Sequence, residues 1–121
     1  MPKFIEAPSI IKAAGNKPKV IEEYVGRVNT QTDDISIARM KSLEGWVEPG
    51  QTPEFEEFTL VVRGNLNVRT KEGDLSLKEG QAVLIKSGEW VQYYSPETGG
   101  AEYISVCLPA FSPNTVHRDN Y

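Results

Sequence analysis

Carboxylates are the most concentrated chemical groups in this sequence. Pro53-Glu54-Phe55-Glu56-Glu57 holds three of them within four positions, a grouping that binds a hard cation if its oxygens converge. In an extended segment successive side chains point to opposite faces, so Glu56 and Glu57 diverge, and the cluster reads as a solvated acidic loop entering a strand. His117 is the one imidazole. The tail around it, Pro113 to Asp119, either folds back to present His117 to a ligand or leaves it on the surface, and the surface reading is the plainer one. Cys107 has no histidine partner at a nucleophile's spacing and reads as a small buried hydrophobe. No phosphate-binding glycine loop and no nucleophile elbow occurs in the chain.

The scaffold for these groups is constrained by size and composition. A chain of 121 residues makes one domain with one core. With 13 Lys and Arg against 17 Asp and Glu, the net charge of −4 argues against a nucleic-acid partner, which needs clustered basic residues. Ala82-Val83-Leu84-Ile85 is the longest aliphatic stretch, far short of the ~20 residues a membrane helix needs, and Met1 to Glu6 lacks the pattern of a secretory leader. The expectation is a cytoplasmic protein with no membrane partner. One Cys and one His also exclude a four-ligand Cys/His zinc site and an internal disulfide.

Local patterning predicts an all-β fold. Ser9-Ile10-Ile11-Lys12-Ala13-Ala14-Gly15 reads as a short helical turn with Ser9 as N-cap and Gly15 as its stop. From Ile35 onward at least seven short strands alternate with Gly, Pro, Asn and Asp at about ten-residue spacing, the pattern of an antiparallel sandwich or barrel. Residues 1–34 are expected to form an N-terminal extension on the barrel or on a partner subunit, residues 35–110 the barrel, and residues 111–121 a C-terminal tail. Phe58, Leu60 and Val62 share the strand face opposite Glu57, Thr59 and Val61, so that apolar stripe is expected to be covered by the N-terminal segment, a second sheet or another subunit, with a homodimer the favoured reading.

The spacing of Gly45 to Gly64 resembles the first motif of the cupins. Gly45 is followed by five residues to Gln51-Thr52-Pro53, three to Glu57 and six to Gly64. The second cupin motif is similar to Gly80, five residues, Lys86-Ser87-Gly88, two to Val91 and three to Ser95. The resemblance covers Ile35 to Leu108 and implies an antiparallel jelly-roll barrel of the RmlC-like cupin type. It also implies where a metal would sit. The three positions at which cupins place histidine hold Gln51, Pro53 and Val91, so of the usual four ligands only Glu57 remains. The resemblance therefore implies a cup without the usual 3-His/1-Glu metal and with no cofactor.

Within such a cup, strand parity turns Gln51, Glu57, Thr59 and Tyr93 inward, with Arg39 or the Ala38 side facing the same space. The first functional reading is binding of a small polar or anionic molecule through Arg39, Gln51, Glu57, Thr59 and Tyr93. The second is an isomerase, lyase or hydrolase in which Glu57 is the general acid or base, with an alternative divalent metal held by Gln51, Glu57 and His117. The third is a structural or interaction module with a dry lumen. Fold alone does not choose among them.

Overall fold

Runs of β-branched and aromatic residues, broken every few positions by turn formers, leave no segment long enough to nucleate a stable helix. The computed structural model describes residues 1–96 and 98–119. Among them lie eight strands and no helix. They are β1 (Ser9–Ile11), β2 (Lys19–Val25), β3 (Ser36–Ser42), β4 (Glu56–Thr70), β5 (Gly73–Lys78), β6 (Ala82–Ile85), β7 (Val91–Tyr94) and β8 (Ala101–Leu108). All pairs are antiparallel, in the order β1-β2-β3-β8-β4-β5. The first half of β4 also pairs with β6 and the second half with β7, so this long strand belongs to both walls of the jelly roll.

Two local expectations are corrected. Ser9 to Gly15 forms no helical turn. Ser9–Ile11 is instead strand β1, paired with β2 through Ile10↔Glu22 and Ile11↔Ile21, because three residues gain more from an adjacent strand's unpaired backbone than from one isolated helical turn. The first 34 residues thus contribute two strands of the same sheet, with Ile21 opposite Met40. The second correction concerns Gly64-Asn65, a turn-forming pair at which the strand Phe58 to Arg63 is expected from the sequence to stop. The chain runs straight through as β4, with a register irregularity between Val61 and Arg63. Gly64 has φ +79°, and a Cβ there would overlap the carbonyl oxygen of Gly100, so only glycine lets β4 cross between sheets beside that backbone.

The main core is built from inward residues of both sheets, including Trp46, Val61, Leu66, Val68, Val91 and Tyr93. A smaller apolar cluster, Phe55, Cys107, Val116 and Phe111, forms where the tail folds back. Backbone bonds hold that return in place: Thr52 N–H to His117 O at 3.1 Å, Glu54 N–H to Thr115 O at 2.9 Å, and Asp119 N–H to Gly50 O at 2.7 Å. Between the two clusters the barrel interior is polar.

Candidate ligand-binding site

Alternation along β2, β3, β4 and β8 brings one polar side chain after another into the barrel interior. Glu57 is at the centre. Tyr93 donates its hydroxyl to Glu57 Oε1 at 2.6 Å, Ser105 donates to Oε2 at 2.8 Å, and the Cys107 thiol approaches Oε2 at 3.7 Å. Each carboxylate oxygen of this buried residue already accepts a side-chain hydrogen bond, which is how a buried carboxylate is accommodated. Burial, reinforced by the Glu57 charge, pushes the Cys107 thiol up, so the group stays protonated and is no nucleophile.

Around Glu57 lies a cavity of about 70 Å³. One water needs about 10–15 Å³ by the same measure, so the space admits several waters or a small organic molecule. Lys19, Glu48, Tyr103 and Arg118 line it together with Gln51 and Thr59. The Lys19 Nζ stands 4.0 Å from the Trp46 ring centroid and 5.1 Å from that of Tyr103. Among the described residues it forms no ion pair. Burial lowers the Lys19 pKa, against the raising influence of Glu48 and then Glu57, while Arg118 lowers it further. Glu48 is pushed up to about 7, chiefly by burial, with Lys19 opposing and Glu57 adding to the rise. The Tyr103 hydroxyl is buried beside Ser42, which is itself bonded to Ser95 at 2.6 Å. Arg118 Nε is likewise buried, and unpaired among the described residues.

Of the residues expected from sequence, Gln51, Glu57, Thr59 and Tyr93 all line this cavity. Gln51 and Val91 exchange two backbone hydrogen bonds of 2.9 Å, so the corresponding positions of the two motifs meet. Arg39 does not join them. It lies on the outer face of β3, bonded through Nε to Glu22 Oε1 at 3.0 Å, because parity turns Ala38 inward instead. His117 is also outside, with its half-exposed ring paired to Glu54. The tail does return over the barrel, but alternation sends Val116 and Arg118 to the interior and His117 to the surface. Sequence reasoning missed Lys19, Glu48, Tyr103 and Arg118. Lys19 lies in the segment that the sequence assigns to an extension, and the inward position of Arg118 depends on the fold-back of the tail.

The residues do not fit the metal that cupins commonly carry. Pro53 and Val91 offer no donor atom, and both Glu57 oxygens are already engaged. Among the described residues no three His, Cys, Asp or Glu side chains converge, and His117 is too far to the outside to complete a set with Gln51 and Glu57.

Residues 43–118 match the family model of the AraC-like ligand-binding domain. The chain belongs to that family. This AraC-like domain is 40% identical over 101 residues to an endoribonuclease YbeY of Myxococcus xanthus, a match covering 84% of the chain and 34% of that protein. The chain thus spans about a third of the length of this curated relative. Its barrel superposes on the polyketide cyclase RemF of Streptomyces resistomycificus with TM-score 0.79 at 14% identity, covering 100% of this chain and 87% of that one. Oxalate decarboxylase of Bacillus subtilis gives TM-score 0.76 at 18% identity, over 94% of this chain and 30% of that one. At such identities these structures show that the AraC-like domain shares the cupin fold.

Proposed function

We propose that this domain binds a small polar molecule carrying hydrogen-bond acceptors in the interior of its barrel, without the usual cupin metal, as a cytoplasmic module. The observation that carries this reading is the convergence of Lys19, Glu48, Gln51, Glu57, Thr59 and Arg118 on one cavity of about 70 Å³. Arg118 and Lys19 add positive charge to the same wall, which favours a ligand with an anionic or carbonyl oxygen.

Lys19→Met separates this reading from a purely structural one. With no ion pair among the described residues to lose, the variant should fold with unchanged or slightly higher stability. It should bind roughly tenfold more weakly, the equivalent of one hydrogen bond. Calorimetry of untagged protein with short carboxylates, oxo acids and small polyols measures the second effect, and denaturant unfolding the first. A variant that loses stability while binding as before would overturn the proposal.

The outer face of the same barrel supports self-association. Ile37, Val106, Phe58 and Leu84 form one cross-strand row, and Ile104 and Leu60 belong to the next. Phe58, Leu60 and Leu84 are all more than one-third exposed. The Arg39–Glu22 and Arg63–Glu102 ion pairs lie beside these rows, giving the apolar patch a polar rim. Sedimentation should give twice the chain mass for the wild type and the single-chain mass for Leu60→Glu. A wild type that sediments as a monomer at tens of micromolar would remove this part of the reading.

A further inference from the structure

Lys19 is the least expected group in the interior. Its ammonium sits in an aromatic corner between Trp46 and Tyr103, facing a cavity, with no ion-pair partner among the described residues. Lys19 is half-buried, and its ammonium packs on two rings beside the cavity instead of pairing with a described carboxylate. On the same wall stand a carboxyl group, Glu48, a phenol, Tyr103, and a guanidinium, Arg118.

Given that the interior is a ligand site, as proposed above, we propose that Lys19 condenses reversibly with a small 2-oxo acid to form an imine. The ligand carboxylate pairs with Arg118 and its carbonyl carbon meets Lys19 Nζ. The nitrogen lone pair forms the C–N bond as the C=O π pair moves to oxygen, which takes a proton from Glu48. The nitrogen then returns a proton to the Glu48 carboxylate, and the carbinolamine oxygen leaves as water on receiving it. The product is the C=N bond, one water is released, and no oxidant or reductant is consumed.

Three features of the cavity favour this chemistry. Its size suits a molecule of about three carbons. Burial, with Arg118 adding to its effect, lowers the Lys19 pKa and enlarges the fraction of amine that is neutral and nucleophilic near pH 7. Glu48 and Glu57 oppose that change, and Glu48, at about 7, is half protonated at the pH where both proton transfers are needed.

The test is reductive trapping. Untagged protein is incubated with pyruvate or glyoxylate and cyanoborohydride, and adducts are mapped by peptide mass spectrometry. The expected result is one reduced adduct per chain at Lys19, formed faster than at any other lysine, because the cavity holds the oxo acid against its Nζ. Lys19→Arg should abolish that adduct, and Glu48→Gln should slow it while leaving the surface lysines as they were. Adducts spread evenly over the lysines, or adducts from acetaldehyde but not from the oxo acids, would overturn the assignment. Calorimetry without reductant distinguishes the two proposals. Heat of binding with no adduct would reject the imine and leave the binding site standing, whereas neither heat nor adduct would reject both for these ligands.

Discussion

Glu57→Leu is expected to lower the unfolding free energy by about 3–5 kcal/mol, because two hydroxyls and a thiol lose their shared acceptor at once and buried donors left unpaired cost about 1–3 kcal/mol each. Leucine fills much the same space, so a cavity is a minor part of this loss. The unpaired-donor account makes a further demand. In a background carrying Tyr93→Phe and Ser105→Ala, the same Glu57→Leu change should cost less than about 2 kcal/mol, since the orphaned hydroxyls have been removed as well. Denaturant unfolding with a constant m-value measures both quantities. A single-variant loss below about 1 kcal/mol would show that the Glu57 network does not hold the interior together. A full-sized loss in the Tyr93→Phe, Ser105→Ala background would assign the effect to packing instead.

This arrangement shows which parts of the site were legible in the sequence. Strand alternation alone places Glu57, Thr59 and Val61 on one face, and the two glycine-framed motifs set Gln51 against Val91, because register fixes parity along a whole strand. Parity fails as a guide where the strand itself is misread. The segment Lys19-Val20-Ile21-Glu22-Glu23 has charged residues on both faces, and its inward set contains Lys19 and Glu23, which hydrophobic alternation would turn outward. Glu23 is accommodated by a local device. Its Oε2 accepts the backbone N–H groups of Val28 and Asn29 at 3.0 and 2.9 Å, so a turn stabilises the buried acid.

The N-terminal strands were the harder case for a related reason. β1 has three residues, of which only Ile11 lines the cavity, and its stability comes from the edge that β2 offers, not from its own composition. Gly15 marks the point at which the chain must pass Trp46. A Cβ there would overlap the indole nitrogen, which donates to Ala14 O at 3.2 Å. The glycine is visible in the sequence but the indole against which it lies is not, since that contact joins residues far apart in the chain. The cupin resemblance thus indicated the cup and the loss of its histidines. The groups that replace them come from β2, from the loop before Gln51 and from the returning tail, which lie outside the ligand positions of both motifs.

One of these replacement groups makes the stability of the domain depend on pH in an unusual direction. Glu48 titrates near 4.5 when the chain is unfolded and at about 7 in the fold, where burial disfavours its charged form. Between those values the folded chain holds a proton that the unfolded chain has released, so Glu48 contributes stability below about pH 4.5 and loses it as the pH rises towards 7. Each tenfold gain in proton affinity on folding is worth about 1.4 kcal/mol, so the contribution that disappears is on the order of 3 kcal/mol. Lys19 acts in the opposite sense: its lowered pKa destabilises the fold at low pH, and that penalty is relieved as the pH rises from its folded value towards the lysine's ordinary one. Unfolding curves from about pH 4.5 to about pH 7.5 should therefore fall more steeply for the wild type than for Glu48→Gln, which removes the titrating group while keeping its size. Glu48→Gln should also be the more stable of the two at the alkaline end of that range. Parallel curves would mean that Glu48 is ionised in the fold well below neutrality, and the proton shuttle assigned to it near Lys19 would fail with that result.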